Sequence, residues 1–282
     1  MIDVQELVYQ YPGNTQPTVK GINFNIKKGE IFGFLGPSGS GKSTTQKVLY
    51  KHLPHYQGQI TLMDKDLGQW GKTFYHKIGV CFELPNHYLK LSALENLTFF
   101  SSFYTKDIAP FEELLDKVGL KQDAHKRVAD FSKGMKMRLN FIRSIMHDPD
   151  ILFLDEPTAG LDPVNGRVIK DIILDLKSQG KTIFLTTHSM YDADELCDRV
   201  ALIIDGQLKA VDTPQNLKLK YGQRKVQVQV EGQKEVMEYE LEQLGKNQDF
   251  LAVLAKHDIR TIHSKEASLE EVFIQITGES LI

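Results

Sequence analysis

Ile31-Phe32-Gly33-Phe34-Leu35-Gly36-Pro37-Ser38-Gly39-Ser40-Gly41-Lys42-Ser43-Thr44 is the stretch that decides the fold. Its first five residues are a short apolar run, the signature of a buried strand. Gly36 to Ser43 fit G-x-x-x-x-G-K-[ST], and residues 42–52 read as a helix. Strand, glycine-rich turn and helix in that order form a phosphate-binding loop. The glycines let backbone N–H groups turn towards phosphate oxygens, and the helix N-terminus adds partial positive charge. Lys42 is placed to reach the β- and γ-phosphates, and the Ser43 hydroxyl to bind Mg2+. A chance glycine/serine loop would lack this strand and helix context. The motif alone specifies nucleotide binding and no particular reaction.

Outward from this stretch, short apolar runs recur at 151–154 (ILFL), 182–186 (TIFLT) and 200–204 (VALII), with helical stretches 163–179 and 189–197 between them. Strands alternating with helices imply a mainly parallel sheet covered on both faces. Upstream, Val4, Leu7, Val19, Ile22, Phe24 and Ile26 form a partly alternating pattern around a turn at Pro12-Gly13-Asn14, which predicts short strands. Residues 84–148 read as mostly helical. Ser92-Ala-Leu-Glu95 is a capping box, Pro110–Val118 has acids in its first turn and stops at Gly119, and 134–147 forms a further helix. Residues 225–230 (KVQVQV) alternate strictly, and the capping box Ser268-Leu-Glu-Glu271 opens a short C-terminal helix. A boundary near Leu219–Arg224 divides a nucleotide-binding domain, 1–220, from an extension, 221–282.

Two acids end the run Ile151-Leu-Phe-Leu154-Asp155-Glu156. The C-terminal ends of parallel strands are where such sheets bind ligands. Asp155 can hold Mg2+ through water, and Glu156 can polarise an attacking water as a general base. His188 follows the next strand, which puts it on the same sheet edge. There it can donate to a γ-phosphate or hold the attacking water. The remaining histidines have no ligand spacing.

Composition narrows the class. Hydrophobic residues make up 41% and charged residues 25% of the 282, which excludes disorder and collagen-like sequence. With 34 basic and 37 acidic residues the net charge is −3, so no nucleic-acid partner is expected. Cys81 and Cys197 stand outside any CxxC, as buried thiols of a reducing compartment would. No run approaches 18 uninterrupted apolar residues, and the N-terminus is not a secretory signal. Work at a membrane would therefore need spans from another chain.

Taken together, these residues resemble the ATP-binding subunit of an ABC transporter, over nearly the whole chain. GPSGSGKST is similar to the family's Walker A, ILFLDEP to its Walker B, Thr158-Ala-Gly-Leu-Asp162 to its D-loop and Thr187-His188 to its H-loop. The resemblance implies an α/β P-loop NTPase cassette. It has N-terminal antiparallel strands, a mainly parallel core sheet, a helical subdomain at about 84–148 and a small C-terminal α+β extension. It also implies that Gly36, Pro37, Ser38, Gly39, Ser40, Gly41, Lys42, Ser43 and Thr44 cradle ATP. Tyr11 would stack on adenine, with Tyr9 a second candidate on the same side of its strand.

Two segments depart from the family pattern. Phe131-Ser132-Lys133-Gly134-Met135 stands where LSGGQ belongs. Ser132 and Gly134 remain, and the resemblance implies that they and Asp162 cross a dimer interface to the partner copy's ATP site. The SKGM form is common in exporter subunits of the ABC-2 type, which the tail Ala267–Gly278 also resembles. Glu83 stands at the Q-loop glutamine. A glutamate keeps an oxygen for Mg2+, loses the amide donor and adds negative charge beside a polyphosphate. Glu83 is expected to bind Mg2+ or to couple to a permease, with altered hydrolysis; a Glu83 swung away from the site is the alternative. Beyond it, Phe99, Phe100, Phe103 and Tyr104 recur at helical spacing. In the family a permease helix docks nearby, yet most of these rings are expected in the core.

The expectation is an ATPase subunit at the cytoplasmic face of a membrane, binding ATP and Mg2+. It would act as a homodimer around two ATP molecules and power export through a separate ABC-2-type permease. A soluble ABC protein of ribosomes or nucleic acid, another P-loop enzyme and an importer subunit are the alternatives. The transported substrate is not legible.

Overall fold

The computed structural model describes residues 1–105, 108, 110–222, 225–233, 235–265 and 267–278. It divides into two compact units, Met1–Val211 and Asp212–Ile282. The division falls before the expected boundary, so the helix that starts at Pro214 goes with the C-terminal unit.

The first unit begins with β1 (Ile2–Tyr9), β2 (Val19–Ile26) and β3 (Ile31–Leu35), then α1 (Lys42–Leu49), β4 (Gln57–Leu62), β5 (Lys65–Asp66) and β6 (Ile78–Cys81). A helical excursion follows: α2 (Ala93–Ser101), α3 (Phe111–Lys117) and α4 (Lys133–Ile145). The chain then alternates β7 (Ile151–Asp155), α5 (Pro163–Ser178), β8 (Thr182–Thr187), α6 (Met190–Leu196), β9 (Arg199–Ile204) and β10 (Gln207–Asp212).

These strands make two sheets, one ordered β2-β1-β4-β5 and one ordered β10-β9-β3-β8-β7-β6. β1 pairs antiparallel with β2 and β4. In the larger sheet β3 lies parallel between β8 and β9, and β7 parallel between β6 and β8. β3 and β8 are buried at every residue, which is why they read as unbroken apolar runs. One core joins the two sheets. Phe24 of β2 stacks on Phe32 of β3 at 5.7 Å, and Phe34 and Phe184 close around them. Each such fully buried ring contributes roughly 1.5–3 kcal/mol.

The helix ends follow their sequence signals. Both capping boxes form, Ser92 with Glu95 and Ser268 with Glu271. Gly119, with φ 65°, lies just past α3. The strands at 57–81 escaped the sequence pattern because β4 opens with three exposed residues, Gln57, Gly58 and Gln59, and β5 is two residues long.

The aromatic stripe is a correction. α2 buries Ala93, Asn96 and Leu97, and this face leaves Phe99 and Phe103 at 39% and 62% exposure. They are not core. With Phe100 and the half-exposed Tyr88 they pack edge to face on the surface, Tyr88–Phe99 at 4.8 Å and Phe99–Phe103 at 5.4 Å. Beside them a cleft of about 500 Å³ is lined by Tyr75, Val80, Phe82, Asn86, His87, Tyr88, Phe100, Tyr104 and Arg143, among others.

The second unit holds α7 (Pro214–Tyr221), β11 (Lys225–Val230), β12 (Val236–Glu240), α8 (Gln248–Lys256), β13 (Ile259–Lys265) and α9 (Leu269–Thr277). Its antiparallel sheet has β11 at the centre, and the alternating Val226, Val228 and Val230 are all buried, the first two against Phe250 of α8. Among the described residues no helix is long and apolar enough to cross a membrane.

Candidate functional site

The loop between β3 and α1 is fixed by close approach. A Cβ on Gly36 would fall 2.1 Å from the Ile203 carbonyl oxygen, so only glycine lets β3 turn beneath β9 here. Gly41 caps α1 at φ 107°, a conformation that L side chains rarely adopt. Lys42 Nζ donates to the Gly36 and Pro37 carbonyls at 2.7 and 2.9 Å, folded back along the loop. Burial pushes the Lys42 ammonium below its usual lysine value, while Glu156, Asp155 and Glu83 pull it back up.

The acids sit opposite, at the end of β7. Asp155 Oδ1 accepts from Ser43 Oγ at 3.4 Å and also from Thr186 Oγ1. Glu156 leaves the strand at φ 48° and is 7% exposed. Its carboxylate accepts from Thr187 Oγ1 at 3.0 Å, and from the His188 backbone N–H and Nδ1 at 2.8 Å each. The imidazole itself is largely exposed. Tyr11 lies two residues past the end of β1, outside the strand, and its hydroxyl meets Thr44 Oγ1 at 3.2 Å. Tyr9, the second adenine candidate, is 5% exposed and packed in the core, edge-on to Tyr11. Leaving the strand at residue 10 breaks the alternation on which its candidacy rested.

Together these groups line a cavity of about 530 Å³. Its walls are Tyr11, Asn14, Thr18, Ser38, Gly39, Gly41, Lys42, Ser43, Thr44, Glu83, Asp155, Glu156 and His188. The structure thus brings Glu83 to the same cavity as the Walker residues. Gly36, Pro37 and Ser40 shape the loop from outside that lining. Ser43, Asp155 and Glu83 offer only oxygen donors, the set a hard divalent cation prefers. Sequence reasoning missed Asn14 and Thr18, which reach the cavity from the β1–β2 connection. It also missed Thr186 and Thr187, which orient the two acids; their position just before His188 was the available signal.

Ser132, Gly134 and Asp162 do not line this cavity. Ser132 caps α4 by accepting from Met135 N–H at 3.2 Å and stays exposed. Asp162 caps α5 at Val164 and Asn165, and the hydrogen bonds from the Asn165 side chain and backbone hold its carboxyl below the usual range. The Lys133 stem runs over the D-loop, its Cε 3.1 Å from where a Cβ on Gly160 would lie.

Comparison with known proteins identifies the family. A family model described as "ABC transporter" matches residues 19–159, and one described as "Fluoroquinolone efflux ABC transporter C-terminal domain" matches residues 224–266. A fluoroquinolones export ATP-binding protein of Mycobacterium tuberculosis is 52% identical over 284 residues, covering 100% of this chain and 94% of the relative. A bacitracin transport ATP-binding protein of Bacillus licheniformis is 32% identical, covering 100% and 99%. A linearmycin resistance ATP-binding protein of Bacillus subtilis is also 32% identical, covering 93% and 94%. Among solved structures, an ATP-binding subunit of an ABC transporter superposes with a TM-score of 0.71 at 26% identity, over 79% of this chain and 93% of that one. A dimeric ATP-binding cassette in a post-hydrolysis state with ADP and Pi gives 0.69 at 25%, over 76% and 98%. The chain belongs to the ABC transporter family and is one of its cassette ATPases.

Proposed function

We infer that this chain is the ATP-hydrolysing subunit of an exporter, that two copies of it enclose two ATP molecules, and that a separate membrane permease carries the substrate. The substrate class is an aromatic drug of the fluoroquinolone type. The observation that carries this is the 52% identity to a fluoroquinolones export ATP-binding protein over the full chain, tail included.

The residues divide the work as follows. The loop N–H groups and Lys42 bind the phosphates, and Lys42 must give up the Gly36 and Pro37 carbonyls to do so. Tyr11 offers its ring to the base. Ser43, Asp155 and Glu83 would hold Mg2+, which when bound neutralises phosphate charge and fixes the geometry of the polyphosphate. Glu156 takes a proton from the attacking water as general base. His188 donates Nδ1–H to Glu156, so the Nε2 of the neutral ring carries a lone pair. In that state His188 accepts from water; it donates to a phosphate only when protonated.

Ser132, Gly134 and Asp162 do not line the cavity of their own chain. A second copy would supply them, Ser132 with the α4 N-terminus acting as an anion site. Hydrolysis would then reopen the pair, and the difference in binding free energy between the two states drives the permease. The exposed rings of Tyr88, Phe99 and Phe103 beside the 500 Å³ cleft suit an amphipathic permease helix. On this reading the subunit works at the cytoplasmic face of the membrane.

The test is accumulation of a fluorescent fluoroquinolone in cells lacking this chain and complemented with it. Wild type should lower accumulation and Glu156→Gln should not. Equal accumulation with both would remove the drug assignment.

A further inference from the structure

The inward face of α4 is apolar at Met137, Leu139, Phe141, Ile142 and Ile145, with one amide among them: Asn140, at 0% exposure. A buried amide costs stability unless its polar atoms are paired. Asn140 Nδ2 donates to the Phe82 carbonyl at 2.7 Å and to Cys81 Sγ at 3.3 Å, and its Oδ1 accepts from Arg143 Nη2 at 2.7 Å. Arg143 Nη1 donates to the Asn86 carbonyl at 2.5 Å, and about two turns earlier the Lys136 carbonyl accepts from His87 Nε2 at 3.0 Å.

Every partner outside α4 lies in residues 81–87, the strand end and the stretch leaving β6. That stretch belongs to no helix or strand after Cys81, so side-chain bonds from α4 set its backbone position. It carries Glu83 to the nucleotide cavity, and the carbonyl that Asn140 holds is that of the residue just before Glu83.

We propose that Asn140, braced by Arg143, is a positioning residue for Glu83: it fixes from α4 where the Glu83 carboxylate stands at the metal edge of the nucleotide cavity. This rests on the assignment of Glu83 to that metal edge. α4 also presents Ser132 at its N-terminus, so the helix completing the partner's site is the one registering the metal in its own. A purely structural Asn140 would stabilise the fold and leave metal dependence alone.

The test is binding of a fluorescent, non-hydrolysable ATP analogue to the purified full chain, with Mg2+ and with EDTA. The ratio of the two dissociation constants is the metal gain. Asn140→Leu, Glu83→Ala and the double variant are compared with wild type, with melting temperatures recorded. Each single variant should cut the gain by about tenfold, the usual cost of losing a ligand's support. Affinity in EDTA should hold within about twofold, and the double variant should be no worse than the weaker single, since one residue acts through the other. An unchanged gain in Asn140→Leu, or losses that multiply in the double variant, overturns the proposal while Glu83 keeps its role. An unchanged gain in Glu83→Ala removes the Glu83 assignment and the proposal with it. Where Asn140→Leu does not fold, Arg143→Lys replaces it. A reduced gain supports the proposal, and an unaltered one overturns it.

Discussion

His188 meets Glu156 twice: its backbone N–H and its ring Nδ1 both lie 2.8 Å from Glu156 Oε1. With Thr187 Oγ1 at 3.0 Å from Oε2, the carboxylate has one fixed orientation at the rim of the cavity. A base must be aimed before its pKa matters. The end of β8 supplies that aim, and the same β8 end holds Asp155 through Thr186. One strand end therefore orients both acids.

Replacing the base should separate binding from chemistry. Glu156→Gln keeps the size and the hydrogen bond from the His188 N–H but cannot take a proton. Phosphate release should fall by at least about 100-fold. The dissociation constant for the ATP analogue should stay within about threefold. A variant that turns over at near the wild-type rate would place the base elsewhere.

Tyr11 is expected to act through its ring. Its hydroxyl contact with Thr44 is long, at 3.2 Å, so Tyr11→Phe should leave KM for ATP nearly unchanged. Tyr11→Ala should raise KM by roughly tenfold, since stacking on a base contributes about 1–3 kcal/mol. Equal effects of the two changes would point to the hydroxyl instead.

The surface rings offer a test of docking that spares the cassette. Phe103 is 62% exposed, so Phe103→Ser should shift stability by no more than about 0.5 kcal/mol. ATP hydrolysis by the isolated subunit should be unaltered. Co-purification with membrane protein should drop, and full retention would leave the rings without that role.

His87 makes stability depend on pH. Burial holds its pKa down at about 4, against 6.5 for a free imidazole, with the Arg143 and Lys136 cations adding to the depression. Between those values the unfolded chain binds a proton that the folded chain refuses. Stability therefore falls as pH drops below about 6.5, by about 2 kcal/mol at pH 5. The loss should be smaller by that amount in His87→Gln, whose amide can still donate to Lys136. Melting at pH 7.5 and pH 5.0 decides it; equal losses in the two proteins would show that His87 does not set the slope.

Much of the site was legible because its signals are local. A five-residue apolar strand, a glycine loop and Lys42-Ser43 occupy consecutive positions, and Asp155-Glu156 end a strand that declares itself by composition. What was not legible depends on partners far along the chain. Tyr9 and Tyr11 are distinguished by where β1 stops. Phe99 and Phe103 are exposed because α2 turns Ala93 and Leu97 inward, which a stripe of aromatics does not announce. Asn140 reads as an ordinary polar residue of a helix until its partner at Phe82, 58 positions earlier, is seen. The domain boundary moved for a similar reason. Helix α7, which the expected boundary left with the nucleotide-binding domain, packs against α9 far along the chain in the C-terminal unit.

Pull-down of the chain from detergent-solubilised host membranes, with partners identified by mass, tests the central claim most directly. An exporter subunit should bring down a multi-spanning membrane protein in near-equal amount. Recovery of ribosomal or nucleic-acid-associated proteins alone would contradict the exporter assignment.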